Sequence, residues 1–207
     1  MTQGTIAVIG TGSVGTALGQ RLSAQGVPFV YGSRDPSTVE RLPAPVVDVT
    51  TAIARSGIVL LAVPAPHAVD TIRRGGSHCD QIIVDCTNPL RWENGPIWEP
   101  PEEGSVSMEL ALAFPGAKVV KGFNHFGAEI QAQPLFDAGP GDAFFASDHQ
   151  DAKAEVMELA ARLGFNPVDA GGLRNAPLLE NLAMLWIHLS SVGGQGRRFS
   201  FKMVRHV

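Results

Sequence analysis

The residues best placed to do chemistry are three glycines in the run Gly10-Thr11-Gly12-Ser13-Val14-Gly15, which has the spacing G-x-G-x-x-G. Glycines so spaced permit a tight turn, close approach of the backbone to a pyrophosphate, and tight packing of helix on strand. The free N–H groups of the helix that follows face the anion. The run comes after the apolar stretch Thr5 to Gly10 and before Val14, Ala17, Leu18 and Leu22 at helical spacing, with Arg21 the one polar interruption. A glycine turn that binds nothing is the rival reading. Buried strand, loop, amphipathic helix and second strand follow in the register the motif requires, which favours a dinucleotide.

The end of the second strand selects among nucleotides. A site for NAD usually places an acid about 20 residues beyond the loop, on the ribose 2′-hydroxyl. This chain reads Tyr31-Gly32-Ser33-Arg34. Ser33 donates to a phosphate, and the planar guanidinium of Arg34 matches one. Asp35 is the competing candidate for the ribose, but it stands before Pro36 and reads as a helix cap. The local pattern therefore predicts NADP(H), held by Gly10, Thr11, Gly12, Ser13, Val14, Gly15, Ser33 and Arg34.

Three further loops should converge on the nicotinamide half of the crevice. Val63 and Pro64 follow the fourth strand, Asn88 the fifth, and Asn124 and His125 the sixth. Asn88 suits the carboxamide. His125 is the candidate acid for reduction of a carbonyl or imine, because its proton equilibrium lies near neutral pH. A pocket wall is the equal alternative for His125. His67 reads as an ordinary first-turn residue, His188 as a core or interface histidine, and His78, His149 and His206 as surface residues.

The elements that must position these groups alternate strand and helix. Strands are expected near 5–10, 28–32, 46–47, 58–63, 82–85, 118–123, 143–146 and 167–169, with helices between them and residues 88–104 a long loop. Such alternation predicts an α/β chain: an NAD(P)-binding Rossmann fold with a doubly wound, mostly parallel sheet and a small C-terminal helical appendage. The expected division is residues 1–147 as the NADP-binding domain. Residues 148–207 form an α/β extension packing on the same core and serving as a dimerisation element. Leu178, Leu182, Leu185, Trp186 and Leu189 share one stripe of the last helix, and Arg197, Arg198, Lys202 and Arg205 make the tail basic.

Composition narrows the class. The 207 residues are 44% hydrophobic, enough for a core, and the net charge of −4 argues against nucleic acid as a partner. No run approaches the length of a membrane span, and the start of the chain lacks a basic leader, so a cytoplasmic protein is expected. Cys79 and Cys86 flank an extended run and stand too far apart to bridge, so both are expected as reduced thiols. No Cys/His spacing suggests a metal.

Taken together, several segments resemble the coenzyme F-420-dependent NADP oxidoreductases, in the bacterial branch described as dinucleotide-binding enzymes. They are Ile9 to Gly15, Tyr31 to Arg34, Leu61-Ala62-Val63-Pro64, Asp85-Cys86-Thr87-Asn88-Pro89-Leu90 and Lys121-Gly122-Phe123-Asn124. Val168 to Gly171 and Leu179 to Leu189 complete the set. The resemblance implies a Rossmann domain, NADPH, and a homodimer formed through the C-terminal part. It also implies hydride transfer to a small acceptor, with coenzyme F-420 as co-substrate. Asn124-His125-Phe126-Gly127 departs from the family's stretch on the acceptor side. Reduction of a small carbonyl, imine or flavin, or an NADP-sensing module without turnover, are the alternatives.

Overall fold

A computed structural model describes residues 5–39, 41–76 and 80–206. The expectations placed on residues 1–4, His78 and Cys79 lie outside the described residues. Six parallel strands form the main sheet: β1 (Thr5–Ile9), β2 (Phe29–Ser33), β3 (Val46–Asp48), β4 (Ser56–Leu61), β5 (Ile82–Asp85) and β8 (Lys118–Lys121). Their order is β3-β2-β1-β4-β5-β8, so the chain runs outward to one edge and then returns to build the other half. The reversal beside β1 is where a doubly wound sheet opens its ligand crevice.

The apolar run of β1 explains its central place. Ile6 and Val8 join one core layer with Leu18, Leu22 and Tyr31, while Ala7 and Ile9 join the other with Ile53, Val59 and Leu61. Successive side chains of a strand point to opposite faces, so only a strand apolar at every position can be covered on both. Helix α1 (Ser13–Ala24) lies against the first layer, with Ala17, Leu18, Gly19 and Leu22 buried. Helices α2 (Val49–Ala54), α3 (Ala68–Arg73) and α4 (Val106–Ala113) supply the second.

Three segments differ from expectation. The helix expected after Asp35 is a single 3-10 turn, Pro36–Thr38. Pro43 and Pro45 restrict the residues before them to extended backbone, so no helix propagates there. The long loop contains a hairpin, β6 (Leu90–Trp92) with β7 (Pro96–Trp98). Its turn holds Asn94 and Gly95, both at positive φ, a hairpin signal hidden among prolines. After β8 come the short helix α5 (Ala128–Ala132) and a two-residue hairpin, β9 (Leu135–Phe136) with β10 (Gly139–Pro140).

The C-terminal elements are β11 (Asp142–Phe145), α6 (Gln150–Arg162), β12 (Asn166–Asp169) and α7 (Ala176–Ser191). β11 pairs with β12, and the Lys121–Ala146 bridge just past the end of β11 joins it to the main sheet. That pair straddles the expected boundary at residue 147. Phe145, Val156, Leu163 and Trp186 share the core layer of Ile6 and Val8.

The leucine stripe of α7 is only partly buried. Trp186 is enclosed, but Leu178 and Leu185 are 66% and 47% exposed. The helix instead turns Leu179, Glu180, Ala183 and Met184 inward. The basic tail is strapped down rather than free. The Trp186 indole N–H donates to Phe199 O at 2.9 Å, Arg197 pairs with Glu129 at 2.6 Å, and Met203 N–H donates to Asp142 Oδ2 at 2.6 Å.

Candidate functional site

A cleft of about 660 Å³ lies at the carboxyl ends of β1, β2 and β4. Gly10, Thr11 and Gly12 form its floor, Ser33 and Arg34 one end, and Val63 and Pro64 a wall. Thr38, Val39, Leu42 and His67 are also among the lining residues and were not anticipated. His67 ends the 3-10 turn Ala65–His67, which the prolines after β4 initiate. The sequence signal for it was the spacing Pro64-x-Pro66-His67.

The three motif glycines have different duties. A Cβ on Gly10, whose φ is +110°, would stand 2.3 Å from Ala62 O, and one on Gly15 would stand 2.0 Å from Gly10 O. Both positions require glycine for packing. A Cβ on Gly12 would meet nothing within 4 Å, so that position faces open space at the front of α1. The first turn of α1 has no acidic residue and no side-chain cap. Its N–H groups are therefore left for an external anion. Ser13, Val14 and Gly15 supply that turn without lining the cleft themselves.

At the other end Arg34 is exposed and forms no ion pair among the described residues. Ser33 Oγ accepts from Asp35 N–H at 3.3 Å. Asp35 is occupied as a cap: its Oδ1 accepts from Ser37 N–H at 3.1 Å and from Ser37 Oγ at 2.5 Å. Tyr31 lies beneath α1 with its hydroxyl donating to Thr16 O at 3.3 Å, and burial pushes its pKa up to about 12.

Asn88 and Asn124 are brought together outside this cleft, at the ends of β5 and β8. Asn124 Nδ2 donates to Asn88 Oδ1 at 2.9 Å and to Leu179 O at 3.0 Å, and Asn88 Nδ2 donates to Asn124 O at 2.7 Å. The pair thus joins two strand ends to α7. Asn124 Oδ1 and Thr87 Oγ1 are buried there without a hydrogen-bond partner. Unsatisfied buried polar atoms are uncommon in folded chains, and a water, an ion or a ligand can complete their bonding.

His125 is not where an acid is needed. Its side chain is fully buried, packed against Phe126 and Phe144, with Nε2 at 3.0 Å from Asp142 O. The carbonyl can only accept, so Nε2 carries the proton. Burial lowers the pKa of the ring to about 4. A neutral imidazole whose N–H is spent on a backbone carbonyl is a wall, and the expectation of His125 as a proton donor is corrected accordingly.

Behind the asparagines lies a buried ion cluster that the motifs did not announce. Lys121 Nζ donates to Asp85 Oδ2 at 2.9 Å, to Glu180 Oε1 at 3.1 Å and to Thr87 O at 2.7 Å, and all three charged side chains are fully enclosed. Cys86, beside it, is a buried free thiol whose pKa burial pushes well up. Among the described residues no group of side chains is suited to a metal, and no helix is long and apolar enough to cross a membrane.

The chain is similar to known proteins. Residues 5–89 match the family model described as NADP oxidoreductase coenzyme F420-dependent. The chain is 33% identical over 189 residues to the metalloreductase STEAP2 of Mus musculus, covering 88% of this chain and 36% of that one. It therefore spans about a third of the length of the curated metalloreductases it matches. To the F420-dependent NADP reductase of Methanothermobacter thermautotrophicus it is 28% identical over 210 residues, covering 89% of this chain and 88% of that one. Among solved structures, a candidate F420-dependent NADP-reductase from Arthrobacter sp. FB24 superposes with a TM-score of 0.87 at 29% identity, over 97% of this chain and 99% of the other. The glycine loop, Ser33, Arg34 and Asn88 all lie inside the segment that matches the coenzyme F420-dependent NADP oxidoreductase family model, and the likeness to F420-dependent NADP reductases continues through α7.

Proposed function

We propose that this chain is a cytoplasmic NADPH-dependent oxidoreductase that passes a hydride to a small acceptor, with a deazaflavin such as coenzyme F-420 the best fit. The observation that carries the nucleotide assignment is the open front of Gly12 at an uncapped helix N-terminus, with an unpaired Arg34 at the far end of the same cleft. Bound NADPH supplies the hydride. The α1 N–H groups hold its pyrophosphate, Ser33 and Arg34 take the 2′-phosphate, and Val63 and Pro64 wall the cleft. Asn88 and Asn124 orient the nicotinamide end, where the unpartnered Asn124 Oδ1 awaits a donor.

The acceptor assignment rests on two supports. The archaeal F420-dependent NADP reductase is matched over 88% of its own length, whereas the metalloreductases are matched over a third. The burial of His125 removes the proton donor that carbonyl or imine reduction would draw from this stretch. Anaerobic oxidation of NADPH with oxidised coenzyme F-420, followed by absorbance, tests the proposal. Stoichiometric loss of both signals is the expected result, and absence of turnover with NADPH still bound refutes the deazaflavin.

Arg34→Ala should weaken NADPH binding on the order of ten- to a hundredfold, from loss of one or two charge-assisted contacts. NADH binding should change little, because NADH has no 2′-phosphate. Titration of each nucleotide checks this, and equal parental affinities would remove Ser33 and Arg34 as selectors.

The chain is further proposed to be a homodimer. Leu178, Leu182, Leu185 and Leu189 of α7 and its C-cap Val192 follow a 4-3-4-3 spacing, with Leu178, Leu185 and Val192 exposed. That is the seam of a helix pairing with another helix. Leu185→Asp should halve the mass seen in sedimentation while leaving the circular dichroism spectrum unchanged.

A further inference from the structure

The hydrogen bonds around the buried ion cluster determine its charge. Glu180 Oε1 accepts from Lys121 Nζ at 3.1 Å and from Val106 N–H at 3.2 Å, and its Oε2 accepts from the Trp98 indole at 3.0 Å. Asp85 Oδ2 accepts from Lys121 Nζ at 2.9 Å and from Ser107 Oγ at 2.6 Å, and its Oδ1 accepts from Thr87 N–H at 2.9 Å. Every partner of Glu180 is a donor alone, and the one partner of Asp85 able to accept, the Ser107 hydroxyl, shares Oδ2 with the Lys121 ammonium, which favours both carboxylates in their ionised form. Lys121 spends its three protons on Asp85, Glu180 and Thr87 O, as an ammonium must. The cluster therefore holds one positive and two negative charges. Burial pushes the Glu180 carboxyl up, while Lys121 and the Trp98 N–H draw it back.

Asp85 ends β5 and Lys121 ends β8, so the cluster sits at the carboxyl edge of the sheet, where such folds take up the nicotinamide. It is tied twice to the asparagine pair. Lys121 holds Thr87 O, next to Asn88, and Asn124 holds Leu179 O, next to Glu180. All three charged side chains are enclosed, so salt screens them little.

We propose that Asp85, Lys121 and Glu180 act as positioning residues whose excess negative charge favours the oxidised, cationic nicotinamide over the neutral reduced ring. The inference rests on the NADP(H) assignment above. Its consequence is a bound NADPH that gives up hydride more readily than free NADPH. None of the three residues is required to touch the cofactor.

Dissociation constants of NADP+ and NADPH, measured by titration in the parent and in Glu180→Gln, test this. The parent should bind NADP+ at least as tightly as NADPH. Removing one charge should raise the ratio of the two constants, NADP+ over NADPH, about tenfold, the scale of a unit charge acting across protein of effective dielectric constant about 20. Ser107→Ala removes a hydrogen bond from Asp85 but no charge, and should leave the ratio unchanged. An unchanged ratio in Glu180→Gln, with both affinities falling together, means the cluster is structural only and overturns the proposal. Should that variant not fold, a parent that binds NADPH more than tenfold tighter than NADP+ overturns it equally. A parent that binds neither nucleotide refutes the NADP(H) assignment itself, an outcome visible before any variant is made.

Discussion

Lys121→Met should destabilise the protein by about 3–5 kcal/mol, the cost of leaving buried carboxylates without their cation. Asp85 and Glu180 are both fully enclosed and, among the described residues, share Lys121 as their one ion-pair partner. Methionine fills the volume of the lysine stem but returns none of the three hydrogen bonds. The loss has a particular pH signature. With the cation gone, nothing offsets the burial that pushes the Glu180 carboxyl up, so the deficit should shrink as pH falls. The double variant Lys121→Met with Glu180→Met should be less destabilised than the sum of its parts, because the two side chains are in contact. Asp85 would keep Thr87 N–H and Ser107 Oγ as donors. Denaturant midpoints at constant slope measure all three values. A loss below about 1 kcal/mol in the single variant would mean water or relaxation replaces the cation.

That cluster also shows where reading from sequence ends. Lys121 lies in Val119-Val120-Lys121, Asp85 in Ile83-Val84-Asp85, and Glu180 in Leu179-Glu180-Asn181. Each segment was recognisable as strand end or helix, and each carried family-like residues. Their pairing spans 36 and 59 positions, and no local periodicity encodes such a distance. The glycine loop was legible because its signal is local: strand, turn and helix all lie between Thr5 and Ala24. The place of Arg34 at the cleft is local in the same way, because it stands at the end of a strand whose neighbour is fixed by the loop.

For His125 and the α7 stripe the sequence leaves two readings open for one reason. A histidine after a strand end suits chemistry or a pocket wall, and a leucine stripe suits core or a partner helix. In both cases residues distant in sequence decide which way the side chain faces. Phe144 and Asp142 enclose the imidazole, and Glu180, held by Lys121, turns Leu179 and Ala183 inward and leaves Leu178 and Leu185 outside.

Alanine at Gly12 and alanine at Gly15 should have opposite consequences, although a motif treats the two as alike. Gly15→Ala places a Cβ 2.0 Å from Gly10 O, a backbone atom that cannot swing aside. Helix α1 must lift from β1, at a cost of about 1–3 kcal/mol for overpacking. Gly12 has φ −76° and open space before it, so alanine is accommodated there without strain. Stability should stay within about 1 kcal/mol, since glycine and alanine differ modestly at a helix N-cap. Binding should suffer instead. The new methyl occupies the space through which a pyrophosphate reaches the α1 N–H groups. Loss of one or two such charge-assisted bonds, at about 1.5–3 kcal/mol each, lowers NADPH affinity at least tenfold. Thermal unfolding without ligand, beside a nucleotide titration, separates the two effects. If Gly12→Ala binds NADPH as the parent does, the pyrophosphate does not lie against the front of α1, and the cleft must hold its ligand by another edge.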